Sequence, residues 1–221
     1  MSKIFNITLD GPGGSGKSTL AKAISKTLDI AYLDTGAMYR GVAYFMQSNN
    51  VDVSDVEKVK ELLPNINMQI INGETQQVIV NGENITDKIR TQAISMGAST
   101  VSKIPEVRLK LVEMQREIAS NTSCVIDGRD IGSYVLPNAE YKFYITADID
   151  ERARRRFLEL ELKGTKDITF DSVRTEMIAR DEQDTKRDFA PLVVPTGAYV
   201  IDTTNLKVEE VLDIILSKIN K

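Results

Sequence analysis

A chain of 221 residues, 42% hydrophobic and 27% charged, has the length of one globular domain, or of one domain carrying an insertion. Its 28 basic and 32 acidic residues leave a net charge of −4, which argues against a general nucleic-acid or membrane binder; any anion site must come from a local cluster of Arg and Lys. There is no histidine and one cysteine, so imidazole chemistry, His metal ligands, an intrachain disulfide and a Cys-rich zinc site are all excluded.

The opening MSKIFNITLD lacks the apolar core of a signal peptide, and no run reaches the length that spans a bilayer; a cytoplasmic location is the default expectation. Ile4, Phe5, Ile7 and Leu9 predict a short strand ending at Asp10. GPGGSGKST (residues 11–19) follows, with the spacing G-x-x-x-x-G-K-S of a phosphate-binding P-loop. Leu20, Ile24 and Leu28 then recur at i, i+4, i+8 and predict a helix. Strand, loop and helix together are the context in which this motif holds a nucleotide rather than being a chance Gly-rich turn. Gly11, Pro12, Gly13, Gly14, Ser15, Gly16, Lys17, Ser18 and Thr19 are the candidate ATP-binding residues. Lys17 brings a charge to the β/γ-phosphates, and the Ser18 hydroxyl can ligate the Mg²⁺ that accompanies ATP.

Further strand-like runs are IAYL (30–33), SCVI (123–126), YKFYIT (141–146) and AYVI (198–201). Most are followed by helix-compatible sequence, the last by VEEVLDIILSKI (208–219) with an apolar stripe of Val208, Val211, Leu212, Ile215 and Ile219. The alternation predicts an α/β domain around a five-stranded parallel sheet.

Between Arg40 and Thr122 lies a long excursion of different character. NINMQII (65–71) alternates, with Ile66, Met68 and Ile70 on one face; NGE (72–74), TQQVIV (75–80) and a second NGE (81–83) follow. Two Asn-Gly turns predict a small three-stranded antiparallel meander at about 66–85, inserted in the α/β chain. It is either a structural decoration or a substrate clamp. Two charged stretches come later. DIDERARRRFLELELKG (148–164) carries Arg152, Arg154, Arg155 and Arg156; in MIARDEQDTKRDFAPL (177–192) a helix would put Arg180, Asp184 and Arg187 on one face. Solvated, salt-bridged helices are the plain alternative. Cys124, in an apolar run, is expected to be a buried, inert thiol.

GRD (128–130) stands just past the strand SCVID, at the carboxyl edge where open α/β sheets bind ligands. Arg129 and Asp130 either serve a ligand there or pair with each other. Arg40, in TGAMYR (35–40), follows a strand in the same way. A phosphoryl-transfer site needs such convergent arginines to neutralise the transferring oxygens. The missing histidine fits a phosphate-monoester acceptor. That acceptor's second pKa is about 6, so it is already a nucleophilic anion and needs arginines more than a general base.

GPGGSGKST, LDTGAMYR, IRTQAISMGASTVSKIPEVR, IDGRDIG and RDEQDTKRDFAPL, in this order, resemble the bacterial cytidylate kinase family from Ile7 to about Thr203. The resemblance implies a P-loop nucleoside monophosphate kinase: one domain over 1–221, with a monophosphate-binding insert at about 41–121 and a helical lid at about 150–187. It implies transfer of the γ-phosphoryl of ATP to CMP or dCMP. By the same resemblance Arg40 and Arg129 meet the acceptor phosphate. Thr35, Ser99, Arg108, Asp130, Arg180, Asp184 and Arg187 hold base and ribose. Lys17, Arg129, Arg152, Arg155 and Arg156 surround the transferring group.

A carboxylate at Asp130 with arginine donors at Arg108 and Arg187 suits the amino group, N3 and O2 of cytosine and opposes uracil. A regulatory GTPase would need an N-K-x-D segment, which the chain lacks. A P-loop kinase for another small molecule is disfavoured by the hairpin insert and GRD. A non-catalytic binding module would not need the Lys17–Ser18 pair together with an arginine-rich lid. Expected partners are ATP and CMP or dCMP, without nucleic acid or membrane, and the chain is expected to be a monomer.

Overall fold

The computed structural model describes residues 4–71 and 76–219. Two compact units emerge: residues 31–124 with Ile4, and residues 5–30 with 125–219.

Five parallel-sheet strands are β1 (Asn6–Asp10), β2 (Ala31–Asp34), β6 (Cys124–Asp127), β7 (Tyr141–Thr146) and β8 (Tyr199–Asp202), in the order β2-β6-β1-β7-β8. Ile7 pairs with Tyr141 and Phe143 with Tyr199, both in parallel register. β1, in the middle, is buried on both faces: Ile7, Thr8, Leu9 and Asp10 are all fully inaccessible. Helices α1 (Lys17–Leu28) and α8 (Val208–Ile219) pack against each other. Val211, Ile215 and Ile219 of the α8 stripe are buried, but Val208, at the exposed start of the helix, is 40% accessible and leaves the stripe.

The apolar runs place the five strands, but four begin a residue or more later than expected. β1 starts at Asn6 and excludes Ile4 and Phe5. The others shift towards the carboxyl end, because β2, β6 and β8 each keep a terminal Asp in the strand. Asp10 and Asp202 occupy ladder positions opposite Tyr144 and Thr146. An apolar-run criterion discards such residues, although backbone pairing does not depend on side-chain polarity.

The excursion after Arg40 is mostly helical. α2 (Thr35–Ser48), α3 (Val56–Leu62), α4 (Gln92–Val101) and α5 (Pro105–Asn121) accompany a small antiparallel sheet of β3 (Met68–Ile71), β4 (Gln77–Val80) and β5 (Glu83–Asn84). Asn81 and Gly82 take left-handed φ of 50° and 82°, the conformation a two-residue hairpin demands, so the second NGE turn forms as expected. The first NGE lies outside the described residues. Ile66, Met68, Val78 and Val80 are buried. α2 packs closely on α4; at Gly41 an added Cβ would meet the Met68 methyl at 2.8 Å.

α6 (Ile149–Leu162) and α7 (Phe170–Lys186) form a helical pair around Ala153, Leu160, Val173 and Met177, with Phe157 and Ile168 alongside. α7 begins well before the charged stretch, at a capping box formed by Thr169 and Ser172. It ends before Arg187, whose backbone is extended (φ −67°, ψ 142°). Arg180 and Asp184 therefore share the helix, and Arg187 reaches back from beyond its end.

Candidate active site

One group of candidate residues is built on β1, α1, β6 and the α6–α7 pair. Gly11 has φ +139°, and a Cβ there would lie 2.0 Å from the Ile145 carbonyl oxygen, so only glycine lets the loop leave β1 beside β7. α1 starts at Lys17 with no side-chain cap on Gly16, leaving its first amides free for an anion. Lys17 is buried and donates to the Pro12 carbonyl (2.6 Å) and to Ser15 Oγ (3.2 Å). Burial, then the nearby Arg129 charge, holds its ammonium well below the usual lysine range. Ser15 Oγ donates to the same carbonyl at 3.0 Å, folding the loop inward.

Ser18 Oγ donates to Asp127 Oδ2 at 2.6 Å, joining residues 109 apart. A hydroxyl and a carboxylate side by side at the phosphate end of a P-loop are hard oxygen ligands, the set that suits Mg²⁺ shared with a nucleotide. Asp127 was missed at the sequence level. Its signal was present: an acidic residue closing an apolar strand (CVID) directly before GRD.

Arg129 and Asp130 do serve ion pairs, with residues of α7 and the turn after it. Arg129 Nε donates to Asp184 Oδ2 at 2.9 Å, and Arg187 NH2 lies 3.2 Å from Asp130 Oδ1. Arg187 NH1 also stands 3.7 Å from Asp184, and its Nε donates to the Ala190 carbonyl at 2.6 Å. The Leu192 amide donates to the Asp184 carbonyl at 2.8 Å. The RDEQDTKRDFAPL motif thus folds back on itself, with Phe189 edge-on to Tyr134 at 5.0 Å. Burial would raise the Asp184 carboxyl, but Arg129, Arg180 and Arg187 outweigh it and hold it below the usual carboxylate range. Arg180 is exposed on α7, and its charge acts on both Asp184 and Lys17. The Arg129 guanidinium overhangs the loop: a Cβ on Gly13 would sit 3.5 Å from its NH2.

The three lid candidates differ. Arg152 is 7% exposed and donates to the carbonyls of Ala147 (2.9 Å) and Gly13 (3.1 Å) and to Asp181 (2.6 Å). Arg155 donates to Glu151 and, at 3.1 and 2.7 Å, to the hydroxyl and carbonyl of Thr203. Thr203 Oγ1 in turn contacts the Ser15 carbonyl at 3.3 Å. Arg156 forms a half-exposed pair with Glu159 at 2.7 Å.

A second group of candidate residues lies within residues 31–124. Asp34 caps α2 by accepting from the Ala37 amide (2.9 Å) and holds Arg40 NH2 at 2.9 Å. Thr35, 4% exposed, opens the helix. Gln76, from the meander, accepts from the Asp34 amide at 2.8 Å. Arg108 is 1% exposed on α5, donates to the Ser102 carbonyl at 3.2 Å and lies 5.6 Å from the Tyr39 ring centroid. Ser99 sits half-buried on α4, where its carbonyl accepts from Ser102 Oγ at 2.8 Å. Cys124 is buried, and desolvation pushes its thiol up to about 12, as suits an inert group.

The chain is 47% identical to a cytidylate kinase of Caldicellulosiruptor saccharolyticus over 97% of its length and 95% of the relative's. It is 48% identical to a cytidylate kinase of Caldicellulosiruptor bescii, with the same coverage. A shikimate kinase from Bacteroides thetaiotaomicron, at 15% identity, superposes with a TM-score of 0.51 over 99% of this chain and 100% of that one, a likeness of fold alone. The cytidylate kinase family matches residues 7–221, and the chain belongs to that family.

Proposed function

We propose that the protein is a nucleoside monophosphate kinase that transfers the γ-phosphoryl of ATP to CMP or dCMP, giving ADP and CDP or dCDP. Membership of the family supports the reaction. The observation that carries it onto these residues is the Arg129–Asp184 and Arg187–Asp130 network standing over the P-loop.

The P-loop amides and Lys17 bind the ATP phosphates. Polyphosphate in the loop opposes the depression of Lys17, because an anion favours the ammonium form. Ser18 and Asp127 would hold Mg²⁺, which would supply charge neutralisation for the ATP phosphates. The acceptor needs no base: it presents an anionic oxygen, and the residues' task is to overcome the repulsion of two polyanions. Arg129, with its Nε fixed by Asp184, keeps its NH2 for phosphate, and Arg40, held through its NH2 by Asp34, keeps its NH1. Thr35, Ser99, Arg108, Asp130, Arg180, Asp184 and Arg187 hold the nucleoside. Residues 150–187 act as a lid whose Arg152, Arg155 and Arg156 exclude water and complete the charge. Residues 41–121 act as the monophosphate-binding insert. The enzyme works as a cytoplasmic monomer in pyrimidine nucleotide metabolism. No helix among the described residues is long and apolar enough to cross a membrane.

The test is ADP release from ATP–Mg²⁺ with CMP, dCMP, UMP, AMP, GMP and shikimate offered in turn. Turnover should be fastest with CMP or dCMP and vanish on chelation of the metal. Turnover with shikimate alone, or with no monophosphate, would refute the assignment.

A further inference from the structure

Asp10 is one residue before the P-loop and belongs to none of the groups assigned above. It is fully buried, and its two carboxylate oxygens accept from the amides of Ile131 (2.6 Å) and Gly132 (2.7 Å). Those amides follow directly on Arg129 and Asp130. One carboxylate therefore bridges the start of the phosphate loop and the end of the GRD segment, each a single residue away. The joint is tight on its other side as well. A Cβ at Gly132 would meet Thr8 Oγ1 at 2.7 Å, Asp10 Oδ2 at 3.1 Å and Pro195 at 3.1 Å. Beyond it the chain enters a π-helical turn, Ile131–Val135, in which the Tyr134 and Val135 amides both donate to the Asp130 carbonyl. Asp10 thereby anchors the unusual turn from which Arg129 and Asp130 project.

We propose that Asp10 is a positioning residue: by holding the Ile131 and Gly132 amides it sets Arg129 and Asp130 in register with the P-loop, and so governs acceptor binding rather than ATP binding. This rests on the kinase reading given above. An amide cannot do the same work, because the two N–H donors sit on separate oxygens and an amide would set its own NH₂ against one of them. Burial raises the Asp10 carboxyl to about 6, against the lowering effect of the Gly132 and Ile131 amides. The charged and titratable groups facing it are Asp130 and Lys17, with Tyr144 opposite on β7. The carboxylate is thus ionised at neutral pH and protonated on mild acidification, when it can serve only one amide as an acceptor.

The experiment compares wild type with Asp10→Asn, which turns an amide NH₂ towards one of the two donors. Dissociation constants are measured separately for CMP, by calorimetry, and for a fluorescent ATP analogue, with kcat and KM by ADP release. Losing one buried charge-assisted bond should weaken CMP binding by about 10- to 100-fold and leave the ATP analogue within about threefold. The wild-type to variant ratio of kcat/KM for CMP should be largest near about pH 7.5 and close towards about pH 5, as the wild type becomes protonated. The CMP phosphate titrates in the same range, but it is common to both proteins and cancels in the ratio. Equal weakening of CMP and ATP, unchanged CMP binding, or a ratio flat with pH would each overturn the proposal. If Asp10→Asn fails to fold, Gly132→Ala crowds the same joint from the other side: a CMP-selective loss supports the proposal, and an equal or absent loss overturns it. A wild type that phosphorylates no monophosphate would refute the kinase reading instead.

Discussion

Replacing Asp184 by Ala removes a carboxylate that is 4% exposed and stands between two guanidiniums. Breaking a buried ion pair by deleting one partner costs about 3–5 kcal/mol, because the surviving charge stays desolvated. The lower end applies here. Arg187 keeps Asp130 and the Ala190 carbonyl, and Arg129, 19% exposed, keeps a long contact to the Gly128 carbonyl. About 3 kcal/mol in a chain of this size lowers the melting temperature by roughly 6–12 °C. Asp184→Asn retains an oxygen for Arg129 Nε but loses the charge and the second oxygen that faces Arg187 at 3.7 Å, so about half that drop is expected. The folded Asp184 carboxyl is held below its ordinary range, so its contribution is present above the unfolded value of about 3.9 and lost as pH falls through the lower folded value. Melts by calorimetry should therefore show a gap between wild type and Asp184→Ala that is steady from about pH 8 to 5 and narrows only below about pH 4. Turnover of CMP should fall by about 10²-fold as Arg129 loses its fixed orientation. A gap under about 2 °C, or one that widens on acidification, would show that the network does not carry this load.

In Asp130→Ala, the ratio of kcat/KM for CMP over UMP should collapse towards one if the carboxylate reads the cytosine amino group; an equal loss for both substrates would reduce Asp130 to a partner of Arg187. Arg156→Ala removes a surface pair worth at most about 1 kcal/mol, so the melting temperature should barely move while kcat falls more than ATP affinity does. An unchanged kcat would return Arg156 to the role of a solvated helix residue. Cys124, with its thiol pushed up to about 12, should resist alkylation at about pH 8 in the native protein and react at once in denaturant. Rapid native labelling would mean that β6 is open to solvent.

Much of the candidate site is legible in the chain because its signals are local. The P-loop is a matter of spacing: left-handed backbone at Gly11, Gly14 and Gly16 admits few residues other than glycine. The second NGE is legible for the same reason, since Asn81 and Gly82 tolerate the φ their turn requires. Apolar runs mark all five sheet strands and both ends of β7, but they stop short of β2, β6 and β8, because Asp34, Asp127 and Asp202 stay in the ladder despite their polarity.

Other features depend on partners far away in sequence. The spatial order β2-β6-β1-β7-β8 is no function of any local pattern. Arg129 and Asp184 lie 55 residues apart, Ser18 and Asp127 lie 109, and Asp10 and Ile131 lie 121. Sequence could nominate Arg129 and Asp130 and leave open a pair between them; the fold pairs each with a residue of the RDEQDTKRDFAPL segment, because α7 ends at Lys186 and the turn beyond it swings Arg187 back. Residue type and spacing determined what chemistry the chain can perform. Chain topology decided which charges are buried together, and burial is what makes those charges strong enough to matter.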